Sequence, residues 1–275
     1  MKKTTVLDID DLQKLSPIFK NKFVAFIAKK LFRCLSIDKV NQIHANHCHL
    51  RGSAFTSAML SDPLMNVKYK IHHEERLDSL PEGAFITVSN HPVGSLDGII
   101  LIDIFASRRK DFRVMVNGFL ENISAMGDNF ISVQPKTDNK TAEGISNVNG
   151  VRASLGQLKE GHPMGFFPAG AMSFRNEHNL VRDLPWTHSI IRLVRKAKVP
   201  VYPVFFACQN TNFFYWLGKI SWKIRTAFVA VEAFNKRGRT LDVYIGEPIP
   251  AETIQLYKDD NDLAAYLYQT TYGLK

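Results

Sequence analysis

A histidine and an aspartate lie close together in sequence, in a turn between two apolar runs. In the stretch TVSNHPVGSLDGIIL, residues 87–101, one run stops just before His91 and the next begins after Asp97. An imidazole has a pKa of about 6.5, so it can accept a proton at cellular pH when a second group fixes its tautomer. A turn that folds back near Gly94 would bring Asp97 to one ring nitrogen and leave the other nitrogen for a substrate. The pair therefore predicts a general base and the acid that orients it.

Two other interpretations of this turn are open. It is compatible with an ordinary strand-to-helix connection built from turn residues. A hydrolase would use Ser89 or Ser95 as the nucleophile beside His91, but neither serine lies in the Gly-x-Ser-x-Gly sequence of a nucleophile elbow. Without a protein nucleophile, the attacking group would be a hydroxyl of the substrate.

A second glycine-bearing turn follows a later apolar run. In GFFPAGAMSFR, residues 165–175, a proline fixes the turn and Gly170 lets the backbone approach a ligand closely. Arg175 follows, and an arginine beside free backbone N–H groups is typical of a phosphate or carboxylate site. The alternative is a surface loop in which this arginine binds nothing.

From residue 68 onward, apolar strand-like runs alternate with helical segments. Strands are expected at 68–73, 84–89, 112–116, 129–134, 163–167 and 200–207, and two further β-like runs are AFVAVEAF (227–234) and TLDVYIGEPI (240–249). Helices are expected at about 96–108, 144–159 and 187–198, and from about 251 onward. In the run at 200–207, Pro200 and Pro203 indicate an edge strand or an irregular strand beginning. The alternation predicts an α/β fold with a mixed central sheet flanked by helices, whose sites gather beyond the carboxyl ends of the strands.

The first 66 residues look like an N-terminal helical extension, which divides the chain into 1–66 and 67–275. Residues 16–36 predict an amphipathic helix with Ser16 as its cap and Pro17 in its first position. One side would carry Phe19, Phe23, Phe26, Ile27 and Phe32, and the other Lys20, Lys22, Lys29, Lys30 and Arg33. Such a helix suits the surface of an anionic membrane. The alternative is a helix packed on the domain with its lysines in water.

Residues 37–66 also look helical and contain several histidines. His44 and His47 could share one helical face as metal ligands, but no second group of ligands follows at a zinc-like interval. We therefore expect no bound metal. The cluster also contains Cys48, and its histidines, His44, His47 and His49, are expected at the surface instead.

The net charge of the chain limits the classes of partner that it is expected to bind. The formal net charge is +9 and the pI is near 9.4, which suits anionic lipid headgroups, nucleic acid or a phosphorylated substrate. No nucleic-acid-binding motif is present, so nucleic acid is not an expected partner.

The three cysteines, odd in number and far apart, predict reduced thiols in the cytosol. An acidic start argues against a signal peptide, and no apolar stretch reaches the about 20 residues of a membrane span. We expect a protein that is soluble or lies on a membrane surface.

Three stretches together resemble the glycerolipid acyltransferase family, which includes the lysophosphatidate acyltransferases. SNHPVGSLDG, FFPAGAMS and VPVYPVFF follow the order of the family's His-x4-Asp motif, Phe-Pro-Glu-Gly-x-x-Ser motif and late Val-Pro-Val/Ile-x-Pro strand. The resemblance covers about residues 68–250. It is closest to bacterial hemolysin-like and lyso-amino-acid-lipid O-acyltransferases, which carry Asn-His-Pro-x-Gly-x-x-Asp-Gly.

The resemblance implies a reaction and roles for residues. His91 would be the general base that deprotonates the acceptor hydroxyl, with Asp97 as its orienting partner. The enzyme would move a fatty acyl group from acyl-CoA or an acyl carrier protein to a lysolipid, with no metal or bound cofactor, at the cytoplasmic face of the inner membrane. The substrate-binding residues would be Asn90, Gly94, Phe167, Pro168, Gly170, Ser173 and Arg175.

Departures from the family pattern bear on the substrate. Five residues instead of four separate His91 from Asp97, and Asp103 is the alternative partner of the histidine. Ala169 and Met172 replace the family's usual glutamate and frequent arginine, and the stretch NGFLENISAMGDNF (117–130) contains no arginine. These changes favour an acceptor other than lysophosphatidate, such as a lyso-amino-acid lipid. The alternative function is a non-catalytic, membrane-associated lipid-binding protein with a degenerate site.

Overall fold

Seven strands form one mixed β-sheet with helices packed on both of its faces. The computed structural model describes residues 4–117, 120, 123–133 and 148–275. The strands of the sheet are β1 (Lys68–His72), β2 (Ile86–Ser89), β3 (Arg113–Asn117), β4 (Phe130–Val133), β5 (Met164–Phe166), β8 (Val201–Ala207) and β9 (Thr240–Ile245). A short hairpin outside this sheet pairs β6 (Phe174–Arg175) with β7 (Val181–Arg182).

The order of strands across the sheet is β1-β9-β8-β2-β5-β3-β4. Neighbouring strands are parallel, except that β9 runs antiparallel to β8. Strand β2 lies between β8 and β5, and its Thr87 is in register with Tyr202 on one side and Gly165 on the other. The predicted mixed sheet is confirmed, and the carboxyl ends of β2, β5 and β8 lie at one edge.

Helices precede the sheet and connect its strands. They are α1 (Ile9–Leu15), α2 (Lys22–Cys34), α3 (Ile37–His47), α4 (Gly52–Ser61), α5 (Ser95–Ala106), α6 (Val148–Lys159), α7 (His188–Ala197), α8 (Asn212–Ile220), α9 (Trp222–Ala227), α10 (Val229–Phe234), α11 (Ala251–Leu256) and α12 (Asp260–Tyr272). The predicted N-terminal helices and the helices at 96–108 and 187–198 are confirmed. Position 134 of the predicted fourth strand and positions 144–147 of the predicted helix lie outside the described residues.

Successive side chains along the strands alternate between two apolar layers. In β3, Val114 and Val116 belong to one buried cluster and Met115 to the other, as the two-residue period of a strand requires. Ile43 of α3 and Phe55 of α4 lie in the first cluster together with α5. None of the helices in the described ranges combines the length and the hydropathy that a bilayer crossing requires.

The predicted β-like run AFVAVEAF is helical, so this prediction was wrong. Its last six residues form α10, in which Glu232 is buried and pairs with Lys236 at a distance of 3.2 Å. Residues four apart adjoin each other on a helix but not on a strand. The i, i+4 ion pair therefore outweighs the high β-propensity of this short run.

The expectation of an edge strand at Pro203 was wrong, while that of an irregular beginning is confirmed. Strand β8 is interior, between β2 and β9. Its pairing with β9 starts at Val204 opposite Ile245, whereas Val201 bridges Ile249, one residue out of that register. The proline, which has no N–H to donate, lies in this interruption.

The start of the first long helix and its apolar side also differ from expectation. Pro17–Lys20 form a 3₁₀ turn, and α2 begins only at Lys22, where the side chain of Asn21 accepts the N–H of Phe23 at 2.9 Å. Helix α2 exposes Phe23, Phe26 and Ile27, together with Leu31. Phe19 and Phe32, which were expected on the same side, are half-buried.

The expectation that His44 lies at the surface was wrong. His44 is 2% exposed, and its Nδ1 lies 2.6 Å from the carbonyl oxygen of Thr4. His47 is partly buried and contacts Asp62 at 2.8 Å, and His49 is exposed. His44 therefore faces the core, because α3 packs on α4, although it lies only three residues before His47 on the same helix. Within the described ranges, no group of three potential ligands is placed to hold a metal ion.

Candidate active site

The predicted site residues lie at the carboxyl edge of the sheet. Strand β2 ends at Ser89, two residues before His91, and the adjacent β5 ends immediately before Phe167. The ring of His91 stacks on the ring of Phe167 with centroids 4.1 Å apart. The two motif stretches, more than seventy residues apart in sequence, are therefore in direct contact.

The imidazole of His91 adjoins the carboxylate of Asp97. Its Nδ1 lies 3.1 Å from Oδ2 of Asp97, within ion-pair distance, but forms no well-defined hydrogen bond with any described residue. Such contacts tighten in many enzymes only when substrate binds. The histidine side chain is 20% exposed and the aspartate 2%, and no side chain or backbone group within the described part of the chain bonds to Nε2. One ring nitrogen thus faces an acid, and the other has no partner among the residues that the structure describes.

A glycine turn lets the carboxylate reach the histidine across five intervening residues. Oδ2 of Asp97 also accepts the backbone N–H groups of Val93 and Gly94, each at 2.9 Å. Gly94 has φ +94° and ψ −110°, a conformation open in practice only to glycine. Asp97 lies in the first turn of α5, where a negative charge is favoured by the helix dipole.

Asp103 is not the partner of the histidine. Its carboxylate is buried in the middle of α5 and accepts hydroxyl hydrogen bonds from Thr56, Ser57 and Tyr69 at 2.8, 2.5 and 2.6 Å. These bonds tie α5 to α4 and β1. Asp103 therefore has a structural role, and Asp97 is the acid beside His91.

Asn90 holds the turn to the neighbouring strand. Its amide nitrogen donates to the carbonyl of Phe206 at 3.1 Å, and its oxygen accepts the Phe206 N–H at 2.7 Å. Both polar atoms of this buried side chain are therefore bonded to the backbone of β8. Its observed contacts are structural, and it acts on the site by positioning the residue that follows it.

The loop after β5, residues 167–173, is called the second motif loop, and it contacts the turn that contains His91. Gly170 has φ +65°, and its N–H donates to Phe167 to close the turn, while Pro168 accepts hydrogen bonds from Thr187. The N–H of Ser173 donates to the carbonyl of His91 at 2.8 Å. Ala169, at the position of the family's glutamate, is buried in the core.

Asp183 joins both loops and was not found by the sequence reasoning. Its Oδ1 accepts the N–H of His91 at 3.2 Å and the hydroxyl of Ser173 at 2.5 Å, and Trp186 donates to Oδ2 at 3.3 Å. Burial raises the pKa of the Asp183 carboxyl, against the opposing effect of the bonds from Ser173 and His91. No local motif marks this residue, because its partner His91 is 92 positions away.

A buried ion pair supports the turn from the side of β8. Lys236 is 1% exposed and donates to Glu232 and to the side-chain oxygen of Asn210, both at 3.2 Å. The amide nitrogen of Asn210 in turn donates to the carbonyl of Val93 at 3.3 Å. The sequence carries no signal for this chain of contacts beyond the i, i+4 spacing of its two charges.

Arg175 lies on β6, beyond the second motif loop. Its guanidinium donates to the side-chain oxygens of Asn179 and Asn212, each at 2.8 Å, and lies over the ring of Tyr215. The structure thus brings His91, Asp97, Phe167 and Ser173 together, and places Arg175 on the neighbouring hairpin.

Similarity to known proteins extends over nearly the whole chain. It is 28% identical to the lyso-glycine lipid O-acyltransferase of Bacteroides thetaiotaomicron, covering 98% of this chain and 97% of the relative. It is 27% identical to the lyso-glycine lipid O-acyltransferase of Phocaeicola vulgatus, covering 98% of this chain and 95% of that relative.

The fold is also similar to that of a solved acyltransferase. The crystal structure of the 1-acyl-sn-glycerophosphate acyltransferase PlsC from Thermotoga maritima superposes with a TM-score of 0.52 at 14% sequence identity, covering 90% of this chain and 87% of that one. This likeness concerns the fold alone. A sequence profile of the family described as Acyltransferase matches residues 12–275. The chain therefore belongs to the Acyltransferase family.

Proposed function

We propose that this acyltransferase moves a fatty acyl group from an acyl thioester to the hydroxyl of a lysolipid, with His91 as the general base. The observation that carries the proposal is the contact between Nδ1 of His91 and Asp97, which leaves Nε2 for the acceptor hydroxyl. The thioester is acyl-CoA or an acyl carrier protein. No serine of the turn lies in a nucleophile elbow, so the substrate hydroxyl is the nucleophile.

The proton passes through the histidine in this reaction. Nε2 of His91 takes the proton of the lysolipid hydroxyl as its oxygen bonds to the thioester carbonyl carbon, which gives a tetrahedral intermediate. The carbon–sulfur bond then breaks, and the leaving thiolate takes the proton back from Nε2, which yields an ester and a free thiol. General base catalysis of this kind contributes about 10²–10⁴ in rate. Asp97 holds the tautomer and stabilises the imidazolium.

The oxyanion of the intermediate needs N–H donors that are not already bonded. Asp97 occupies the N–H groups of Val93 and Gly94. We assign the role to the backbone N–H groups that follow in the first turn of α5, starting at Ser95, where the helix dipole also favours negative charge. One such donor is commonly worth about 3 kcal/mol.

The acceptor we propose is a lyso-amino-acid lipid. Ala169 and Met172 remove the glutamate and the arginine that the lysophosphatidate-type motif carries at these positions. Two full-length relatives are named lyso-glycine lipid O-acyltransferases. Both observations favour a headgroup other than a glycerol phosphate.

The proposed place of action is the anionic surface of a membrane, the cytoplasmic face of the inner membrane. The net charge of +9 attracts anionic headgroups and acidic acyl carriers. Helix α2 and the pair α8 and α9 expose large apolar side chains that suit the headgroup region. The exposed large apolar residues of α8 and α9 are Phe213, Trp216, Ile220, Trp222 and Ile224.

The test is turnover by the purified protein. Radiolabelled acyl thioester is mixed with lysolipids that carry glycine, other amino acids or phosphate as headgroup, and the diacylated products are resolved. Sustained formation of the amino-acid-lipid product supports the proposal. Binding of lysolipid with no product from any acceptor, with either acyl-CoA or acyl carrier protein as donor, would instead support the non-catalytic lipid-binding alternative.

A further inference from the structure

Arg225 of α9 is held against the second motif loop. Its Nη1 donates to the carbonyl of Ser173 at 3.4 Å, and its guanidinium lies over the ring of Phe214, 5.6 Å from the centroid. Its aliphatic stem passes over Gly218 of α8, where a Cβ atom would lie only 2.9 Å from Cδ of the arginine. A glycine in α8 thus makes room for this side chain.

In the described part of the chain, neither Arg225 nor Arg175 has an acidic partner. Within residues 4–117, 120, 123–133 and 148–275, no carboxylate lies within ion-pair distance of either guanidinium, and the Nε atom of each is buried without a hydrogen-bond partner. The bonds that Arg175 makes go to the neutral amides of Asn179 and Asn212. A partly buried positive charge without a counter-ion is uncommon, so the two guanidinium groups point to an anion that is not part of the protein.

The two arginines flank adjacent rings close to the catalytic turn. Arg225 lies over Phe214 and Arg175 over Tyr215, whose centroids are 5.9 Å apart. Burial raises the pKa of Tyr215 to about 12, and the charge of Arg175 acts in the opposite direction. The carbonyl that Arg225 contacts belongs to Ser173, whose N–H donates to His91.

The outer side of the same helices is apolar. Helices α8 and α9 expose Phe213, Trp216 and Trp222, more than half of each side chain. An anion that also carries a long acyl chain matches this arrangement, because its charge would meet the arginines while its chain lies along the exposed rings.

We propose that Arg225 and Arg175 bind the anionic headgroup of the acceptor lysolipid, a carboxylate or a phosphate. This inference rests on the proposed function for the identity of the acceptor. The planar guanidinium suits both oxyanions, since it can donate two parallel hydrogen bonds to either. Headgroup recognition is thereby assigned to α9 and to the β6–β7 hairpin. Their arginines supply the positive charge that is absent at Met172 in the second motif loop.

The test measures binding of lysolipids in the absence of a thioester. The probes are a hydroxyacyl chain amide-linked to glycine, which leaves the carboxylate free, its neutral carboxamide, and a lysolipid with a phosphate headgroup. Dissociation constants are measured for the wild-type protein, Arg225→Gln, Arg225→Lys, Arg175→Gln and the exposed-arginine control Arg237→Gln. Thermal unfolding identifies variants that do not fold, and Arg225→Lys preserves the charge where the neutral variant is unstable.

We expect the wild-type protein to bind at least one of the two anionic probes about 10- to 100-fold more tightly than the carboxamide. Arg225→Gln and Arg175→Gln should each reduce this preference at least several-fold, Arg225→Lys should reduce it in part, and Arg237→Gln should leave it unchanged. An equal preference in the wild type and both glutamine variants overturns the inference, as does a loss that affects acyl-CoA binding instead of the lysolipid. Turnover is measured separately. An anion preference without catalysis would therefore contradict the proposed function and still support the headgroup site.

Discussion

The sulfur of Met172 packs so closely on Gly94 that a Cβ atom on residue 94 would lie 2.7 Å from it. A residue without a side chain therefore joins the turn of His91 to the second motif loop. The N–H of Gly94 also donates to Asp97, so a shift of the turn reaches the partner of the histidine directly.

Gly94→Ala should lower both stability and activity. The backbone at φ +94° disfavours any side chain by about 1–3 kcal/mol, and the new methyl group would also displace Met172. We expect a corresponding loss in the free energy of unfolding, measured in urea, and a fall in kcat of at least tenfold. The additional variant Met172→Ala should restore part of the activity, because it removes the collision but not the backbone strain.

Gly161 provides the matched control for backbone strain. It has φ +88°, and a Cβ atom there would meet nothing within 4 Å. Gly161→Ala should lower stability by a similar strain while leaving kcat of the folded protein unchanged. Equal effects of the two glycine substitutions on kcat would show that the turn at Gly94 has no special link to the reaction.

His91→Ala should abolish acyl transfer without unfolding the protein. The loss of the general base should reduce kcat by about 10³–10⁴, near the upper end of the effect of such groups. Initial rates with labelled thioester measure this, and the exposed His178→Ala serves as the control. Binding to vesicles should be unchanged in both variants. Near-normal turnover by His91→Ala would refute the assignment of the base.

Asp97→Asn and Asp103→Asn should separate catalysis from stability. We expect Asp97→Asn to reduce kcat by about 10²-fold, less than His91→Ala, because the histidine persists without the acid that orients it. Asp103→Asn alters a carboxylate that accepts bonds from Thr56, Ser57 and Tyr69, so it should lower the unfolding midpoint while the folded fraction retains its kcat. The reverse pattern would identify Asp103 as the acid.

The exposed apolar side of α2 should contribute to membrane binding. Phe23 and Ile27 are 70% and 49% exposed, one helical turn apart. Replacing both by serine should weaken partition into vesicles with anionic lipid at least tenfold, since burying each such side chain is worth about 1.5–3 kcal/mol. Leu256→Ser, which changes an exposed apolar residue of α11, is the control. Partition that is the same for the double variant and the control would assign α2 no part in binding.

Much of the fold could be predicted because its signals are local. The apolar runs at 68–73, 84–89 and 200–207 coincide closely with β1, β2 and β8, since the two-residue period and the flanking turn residues act over a few positions. The failures also have physical causes. AFVAVEAF is helical because Glu232 pairs with Lys236 and Thr211, and Pro203 is accommodated inside the sheet by a shift in register with β9.

By itself, the sequence determined the order of the elements, the position of His91 and Asp97 in one turn, and the glycine that allows this turn, because all of these depend on neighbouring residues. Only the tertiary structure decided which distant groups complete the site. Asp183 reaches His91 across 92 positions, and Arg225 reaches Ser173 across 52. Such contacts arise when the strands set the loops at one edge and helices pack over them, and the burial and charge of each partner depend on the whole assembly.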